Sequence, residues 1–187
     1  MDLEINMQKT YLSVLLAGAM ALSFGAQAAG ESTVSLGYAQ SHVKVDGNSL
    51  NENPKGFNLK YRYEIDNNLG FITSFTYTTQ SYDYYYGSNK VGDADLKYYS
   101  LTAGPAYRFN DYISAYGLIG FGHGKATSNV SMLGYSANAD ESNTSVAYGA
   151  GVQLNVTPNI ALDTHYEYSK LGDFKVGTWT VGAGYRF

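Results

Sequence analysis

The sequence predicts an all-β chain: an eight-stranded antiparallel up-and-down transmembrane β-barrel with extended extracellular loops. Three observations predict it. The 187 residues carry only 15% charged side chains beside 19 Tyr and 21 Gly, well under the roughly 25% charged fraction of soluble domains. Apolar and polar residues alternate with a period of two over many segments, and an apolar, export-type run lies near the amino end. This composition excludes disorder, a coiled coil and a charged helical bundle. A formal net charge of -4 gives no basic field for phosphates, so nucleic acid is not an expected partner. With no Cys, disulfide scaffolds and thiolate metal sites drop out.

Leu12 to Ala26 is the most apolar run; it follows Lys9 and ends in Ala26-Gln27-Ala28. It is too short to cross about 30 Å of hydrocarbon comfortably and reads as a secretory signal over residues 1–28, cleaved after Ala28. Asp2 and Glu4 fit poorly in the positive leading region, which makes Met7 an alternative start. Residues 29–187 then form one barrel domain. A chain without Cys crosses an oxidising compartment with no risk of wrong bridges.

Eight strands follow in order. The first, Thr33 to Val43, sets Val34, Leu36 and Tyr38 against Ser35, Gly37, Ala39 and Ser41. The second is the clearest: Phe57, Leu59, Tyr61 and Tyr63 alternate with Asn58, Lys60, Arg62 and Glu64, and side chains alternate across a strand. Asp66-Asn67-Asn68 is a tight turn. The third, Phe71 to Gln80, opposes Phe71, Phe75 and Tyr77 to Ser74, Thr76 and Thr78; the fourth, Leu96 to Phe109, opposes Tyr99, Leu101, Ala103, Pro105 and Tyr107 to Ser100, Thr102, Gly104, Ala106 and Arg108. The fifth, Tyr112 to Lys125, is apolar at both parities, so its faces stay unassigned. The sixth sets Val146, Tyr148, Val152 and Leu154 against Ser145, Ala147, Gln153 and Asn155. The seventh sets Ile160, Leu162, Tyr166 and Tyr168 against Asp163, His165, Glu167 and Ser169. The eighth ends with Trp179, Val181, Ala183, Tyr185 and Phe187 on one face and Thr178, Thr180 and Arg186 on the other.

Connections after the second, fourth and sixth strands are tight, whereas Asp46 to Lys55, Tyr82 to Asp95 and Ala126 to Ser142 are long and polar. Short turns at one end and long loops at the other mark an outer-membrane barrel. Aromatics at strand ends, among them Tyr63, Phe71 and Phe109, suit the membrane boundary. The polar face then points inward and carries Lys60, Arg62, Glu64, Arg108, Asp163, His165, Glu167 and Arg186. On the lipid side an Arg or Lys would cost about 2–4 kcal/mol at mid-depth. An eight-stranded cylinder is about filled by its own side chains, so a plugged barrel is expected, with Asp163 and Arg186 as the favoured ion pair and independently hydrated charges as the alternative.

Four blocks carry a resemblance: Gly37-Tyr38-Ala39-Gln40, Gly56 to Tyr63, Thr102-Ala103-Gly104-Pro105-Ala106-Tyr107-Arg108, and Val176-Gly177-Thr178-Trp179 with Gly184-Tyr185-Arg186-Phe187. They resemble the Ail/Lom family of enterobacterial outer-membrane proteins, its OmpX-like branch in particular. The resemblance implies an outer-membrane barrel embedded among lipid and lipopolysaccharide and acting as a monomer. For some members it also implies adhesion to host cells, invasion, or resistance to complement. Host partners would be extracellular-matrix, cell-surface or complement-regulatory proteins. Trp179, Tyr185 and Phe187 look like the tail read by the barrel-assembly machinery.

The remaining signal lies in the loops. Tyr82, Tyr84, Tyr85 and Tyr86 with Lys90 form one candidate contact surface, since Tyr and its polar neighbours adapt to partners at low ordering cost; cross-strand Tyr pairing in a protruding hairpin explains them equally. Met132, Leu133 and Tyr135 form a second, where a sheet edge could accept an added strand. His165, Glu167 and Ser169 could suggest an acid/base and nucleophile set, but their parity sends them into the lumen, away from lipid esters. No enzyme activity, cofactor or metal is therefore expected. An envelope protein without a host ligand, and a lipid A-modifying barrel or small pore, are the alternatives.

Overall fold

The computed structural model describes residues 31–45, 48–49, 53–86, 89–132 and 135–187; the expected signal, residues 1–28, lies outside them. The strands are β1 Ser32–Val45, β2 Asn48–Ser49, β3 Lys55–Glu64, β4 Leu69–Tyr86, β5 Asn89–Arg108, β6 Ile113–Met132, β7 Tyr135–Asn155, β8 Ile160–Leu171 and β9 Phe174–Arg186. All neighbours are antiparallel, and β9 returns to β1 along a ladder from Thr33↔Arg186 to Val45↔Phe174. That pairing closes the sheet and leaves no edge through the wall. β2 is a two-residue arm folded onto the end of β1 at Lys44↔Ser49, so eight strands build the cylinder.

The tight turns have local causes. Asp66 Oδ1 accepts the N–H groups of Asn68 and Leu69 at 2.8 and 2.7 Å, and these bonds hold its carboxyl below the ordinary carboxylate range. Asn110 Oδ1 does the same for Tyr112 and Ile113, both at 2.9 Å, and Thr157 Oγ1 accepts from Ile160 at 2.9 Å. Side-chain oxygens thus replace missing backbone partners. At the other end Gly172 turns β8 into β9 with φ 63°, a left-handed conformation that favours glycine.

Strand length separates two halves of the molecule. β3, β8 and β9 have 10, 12 and 13 residues, enough to cross the membrane, but β4 to β7 have 18, 20, 20 and 21. About ten tilted residues cross an apolar band of roughly 25 Å, so these four continue well beyond it. The expected loops Tyr82 to Asp95 and Ala126 to Ser142 are accordingly mostly strand. The β4–β5 ladder continues through Tyr82↔Ala94 to Tyr86↔Asn89 with an irregularity at Tyr84/Tyr85, and β6–β7 runs to Met132↔Tyr135. Above the band water meets both faces of the sheet, so the alternation that identifies a strand in sequence is lost.

Inside the band the faces separate cleanly. Leu36, Leu59, Leu101, Leu162 and Val181 point out and are exposed; Lys60, Arg62, Thr102, Asp163 and Thr180 point in and are buried. β6 is resolved too: Ser114, Tyr116 and Leu118 face inward, Ile113, Ile119 and Phe121 outward. Pro105 interrupts the β5–β6 ladder, which skips from Ala103↔Ile119 to Ala106↔Tyr116, because proline has no N–H to give.

Candidate functional site

The lumen is layered. At the short-turn end Glu31 pairs with Arg186 and lies 3.6 Å from Arg108 Nη1. Arg108 Nη2 donates to Glu64 Oε1 at 2.7 Å, and Arg62 donates to Glu64 Oε2 at 3.2 Å and to Gln153 Oε1 at 3.2 Å. At mid-height Lys60 pairs with Asp163 and donates to Thr180 Oγ1 at 3.4 Å. Tyr116 donates to the other Asp163 oxygen at 2.7 Å, while His165 Nδ1 meets Thr180 Oγ1. Higher still, Glu167 accepts from Tyr98 at 2.8 Å and Thr102 at 3.4 Å. A ring of Ser41, Thr78 and Thr178, linked at 2.9 and 2.7 Å, completes the polar stack.

The expected Asp163–Arg186 pair does not form. Asp163 stands opposite Gly182, whereas Tyr185, beside Arg186, stands opposite Ile160; Arg186 thus lies four rungs, at ~3.4 Å each, from the rung of Asp163. Lys60 reaches Asp163 across the lumen instead, and Glu31 takes Arg186. Glu31, Tyr98 and Tyr116 are network members that sequence reasoning missed, whereas Gln153 stands on the polar face that the alternation assigns it. Nor is the interior polar throughout: Ile72, Ala106, Tyr116 and Leu118 make an apolar cluster.

His165, Glu167 and Ser169 share one strand face but bond elsewhere. Ser169 Oγ donates to the Val146 carbonyl at 3.1 Å, and the partners of His165 and Glu167 are those just given. No nucleophile–base contact joins the three.

The outer surface has its own order. Tilted and stacked rings form an upper belt: Phe57 with Phe75 and Tyr77, Tyr77 with Tyr99, Tyr99 with His123, Tyr148 with Tyr168 and Tyr166 with Trp179, at centroid separations of 5.0–6.2 Å. A lower belt holds Tyr107–Phe109 and Tyr185–Phe187. Trp179, Tyr185 and Phe187 are all exposed on this face. Such rings sit at the two membrane–water interfaces.

Lysines stand one step above the upper belt. Lys170 is directly opposite Lys175, and Lys175 directly opposite Lys44, so one rung crosses β8, β9 and β1. Lys97 faces Lys125 on β5 and β6. Lys44, Lys97, Lys170 and Lys175 are exposed, Lys125 half-buried. Like charges directly opposite oppose folding, which makes the rungs notable. Their sequence signal is a lysine two residues past an outward aromatic, as in Tyr168-Ser169-Lys170 and Lys97-Tyr98-Tyr99. Of the predicted surface residues, Tyr82, Tyr84, Tyr85, Tyr86, Lys90, Met132 and Tyr135 have backbone in β4 to β7, but their side chains, and all of Leu133, lie outside the described residues.

Known proteins share this design. Residues 12–187 match the family described as outer membrane protein beta-barrel domain. The attachment invasion locus protein of Yersinia enterocolitica is 54% identical over 97% of this chain and 100% of its own length, and outer membrane protein X of Escherichia coli (strain K12) is 44% identical over 97% and 100%. Neither name denotes an enzyme. The crystal structure of Ail of Yersinia pestis, in complex with the heparin analogue sucrose octasulfate, superposes with a TM-score of 0.78 at 54% identity, covering 84% of this chain and 99% of that one. With its closed eight-stranded barrel, twin aromatic belts and these identities, the chain belongs to the outer-membrane β-barrel family, among its Ail- and OmpX-type members, and is a protein of the outer membrane.

Proposed function

We propose that this protein is an attachment protein: a barrel closed to solutes that holds a four-stranded sheet above the membrane and binds sulfated polysaccharide of host surfaces through its lysine rungs. The rung Lys170–Lys175–Lys44 carries the reading. Three ammonium groups on adjacent strands repel one another, and a polyanion lying across them turns that repulsion into attraction. The names of the Yersinia relatives and the sulfated ligand bound to Ail of Yersinia pestis support it. Invasion and serum resistance follow from the same surface engaging host cells or complement-regulatory proteins. Solute exclusion follows from the buried Lys60–Asp163 and Arg62–Glu64 layers, which fill the bore. Export with removal of residues 1–28, and assembly guided by the strand carrying Trp179, Tyr185 and Phe187, belong to the same proposal.

The test is the triple variant Lys44→Gln/Lys170→Gln/Lys175→Gln in lipid nanodiscs, titrated with heparin. Each ammonium facing an anionic surface contributes about 1 kcal/mol, so binding should weaken about 100-fold. The salt dependence should become shallower, and heat-dependent gel mobility should be unchanged. Undiminished heparin binding by the folded variant, or none by the parent protein, would leave an envelope protein whose lysines serve the membrane surface alone.

A further inference from the structure

At the short-turn end the bore opens into a cavity of about 890 Å³ walled by the tight turns at 65–67, 111–112 and 156–158, within the usual size of small-ligand pockets. Short turns mark the periplasmic end of an outer-membrane barrel. Glu31, Glu64, Arg108 and Arg186 line the cavity, and Asp66 and Asp111 stand exposed among its turns. Turn asparagines fix both arginine backbones: Asn68 Nδ2 donates to the Arg108 carbonyl at 3.1 Å and Asn159 Nδ2 to the Arg186 carbonyl at 3.0 Å. The guanidiniums are therefore placed by the fold itself.

Buried charge does not balance here. The side chains of Arg62, Arg108 and Arg186 are 2%, 10% and 12% exposed, and Glu64, 6% exposed, pairs with the first two. Three shielded guanidiniums thus face one shielded carboxylate, and stranded buried charge is costly. Glu31 supplies the second anion: it pairs with Arg186 and lies 3.6 Å from Arg108 Nη1, but its side chain is 59% exposed. A carboxylate so open to water is held weakly. Among the described residues the Nε–H groups of Arg108 and Arg186 have no acceptor, so both guanidiniums keep donor capacity that Glu31 leaves unused. Two shielded arginines therefore hold one exchangeable carboxylate at the mouth of the bore.

We infer that this mouth is a binding site for the free carboxylate end of a peptide chain in the periplasm, and that Glu31 is its built-in competitor. The incoming carboxylate displaces Glu31 into water and takes charge-assisted bonds from Arg186 and Arg108; capture of a chain's terminal carboxylate is a recurring mode of peptide recognition. Asn67 and Thr157, which also line the cavity, offer polar partners to the rest of the chain end. The carboxylate already seated there fixes the ligand's chemistry, and Asp66 and Asp111 oppose a more highly charged anion such as phosphate. This site lies at the opposite end of the barrel from the lysine rungs and does not depend on glycan binding there.

The probe is the acetylated tripeptide glycyl-seryl-alanine with a free carboxylate, titrated at neutral pH into the protein in nanodiscs and followed by NMR at the backbone amides of Ser32, Arg108 and Arg186. It should bind saturably and shift all three. The same peptide ending in a carboxamide, and inorganic phosphate, should each bind about tenfold more weakly, as loss of a charged hydrogen bond implies. Glu31→Gln removes the competitor and should tighten peptide binding about tenfold, a gain that a purely structural role for Glu31 does not produce. Adding Arg186→Gln should reverse that gain. Glu31→Gln is an isosteric change at an exposed side chain, so it decides the matter even if the arginine variant fails to fold. No saturable binding by the parent or the Glu31→Gln protein, equal binding of the carboxamide or of phosphate, or an affinity unmoved by Glu31→Gln would overturn the proposal.

Discussion

Replacing Lys60 by methionine should destabilise the folded barrel by about 3–5 kcal/mol, the usual cost of stranding one member of a buried ion pair. Lys60 and Asp163 are both almost completely buried, and water cannot reach the carboxylate when its partner goes. Tyr116 would still donate to Oδ2 at 2.7 Å, but a neutral hydroxyl does not replace a counter-ion. Equilibrium unfolding in urea from lipid vesicles measures the effect. Asp163→Asn should be comparably damaging, for it leaves the buried ammonium without its counter-ion, with only neutral acceptors around it. The double variant Lys60→Met/Asp163→Leu should recover most of the loss, because well-packed apolar replacements of a buried pair are often neutral or stabilising. That non-additivity is the diagnostic result. A single-variant cost below about 1 kcal/mol would mean that water penetrates the lumen and screens the pair, as it does at a protein surface.

The same geometry explains what could be read from residues alone. Phe57 to Glu64 declares its two faces because lipid lies on one side and ions on the other, and every membrane-spanning stretch except β6 repeats that contrast. In β6 the inward positions Gly120, Gly122 and Gly124 and the outward Ala115 and Gly117 are all small, so composition cannot tell the sides apart. Contacts decide them: Gly122 lies under Tyr98 and Ser169 in the lumen. The upper halves of β4 to β7 were illegible for the opposite reason, water on both faces, and so they read as loops.

Which ions meet depends on register rather than parity. Sequence puts Asp163 and Arg186 on adjacent strands and the same face, but a shift of four rungs sends each to a partner that cannot be deduced from spacing. Glu31 precedes the predicted first strand by two residues, yet at the inward parity of Thr33 and Ser35 it joins Arg108 and Arg186 at the mouth. Tyr98 and Tyr116 point inward although most strand tyrosines point outward. Their hydroxyls bond Glu167 and Asp163, which is where a buried tyrosine needs its polar tip.

Replacing Val181 by arginine should cost about 2–4 kcal/mol, and that figure separates a membrane barrel from a soluble one. Val181 is 65% exposed; in water, substitution at such a position stays within about 0.5 kcal/mol. Here it lies on β9 between Trp179 of the upper belt and Tyr185 of the lower, opposite Tyr38 and Thr164. Hydrocarbon at that depth cannot hydrate a guanidinium, and the penalty declines toward the interfaces. Val181→Arg should therefore lose much more stability than an arginine at Lys175 above the belt, while Val181→Leu should lose almost none. The measurement is the unfolding free energy of each variant in vesicles of fixed thickness. A flat profile, with Val181→Arg as harmless as Lys175→Arg, would mean that this face meets water. The buried ions of the lumen would then need another explanation, since only an apolar exterior forces four cations and their carboxylates to share so narrow an interior.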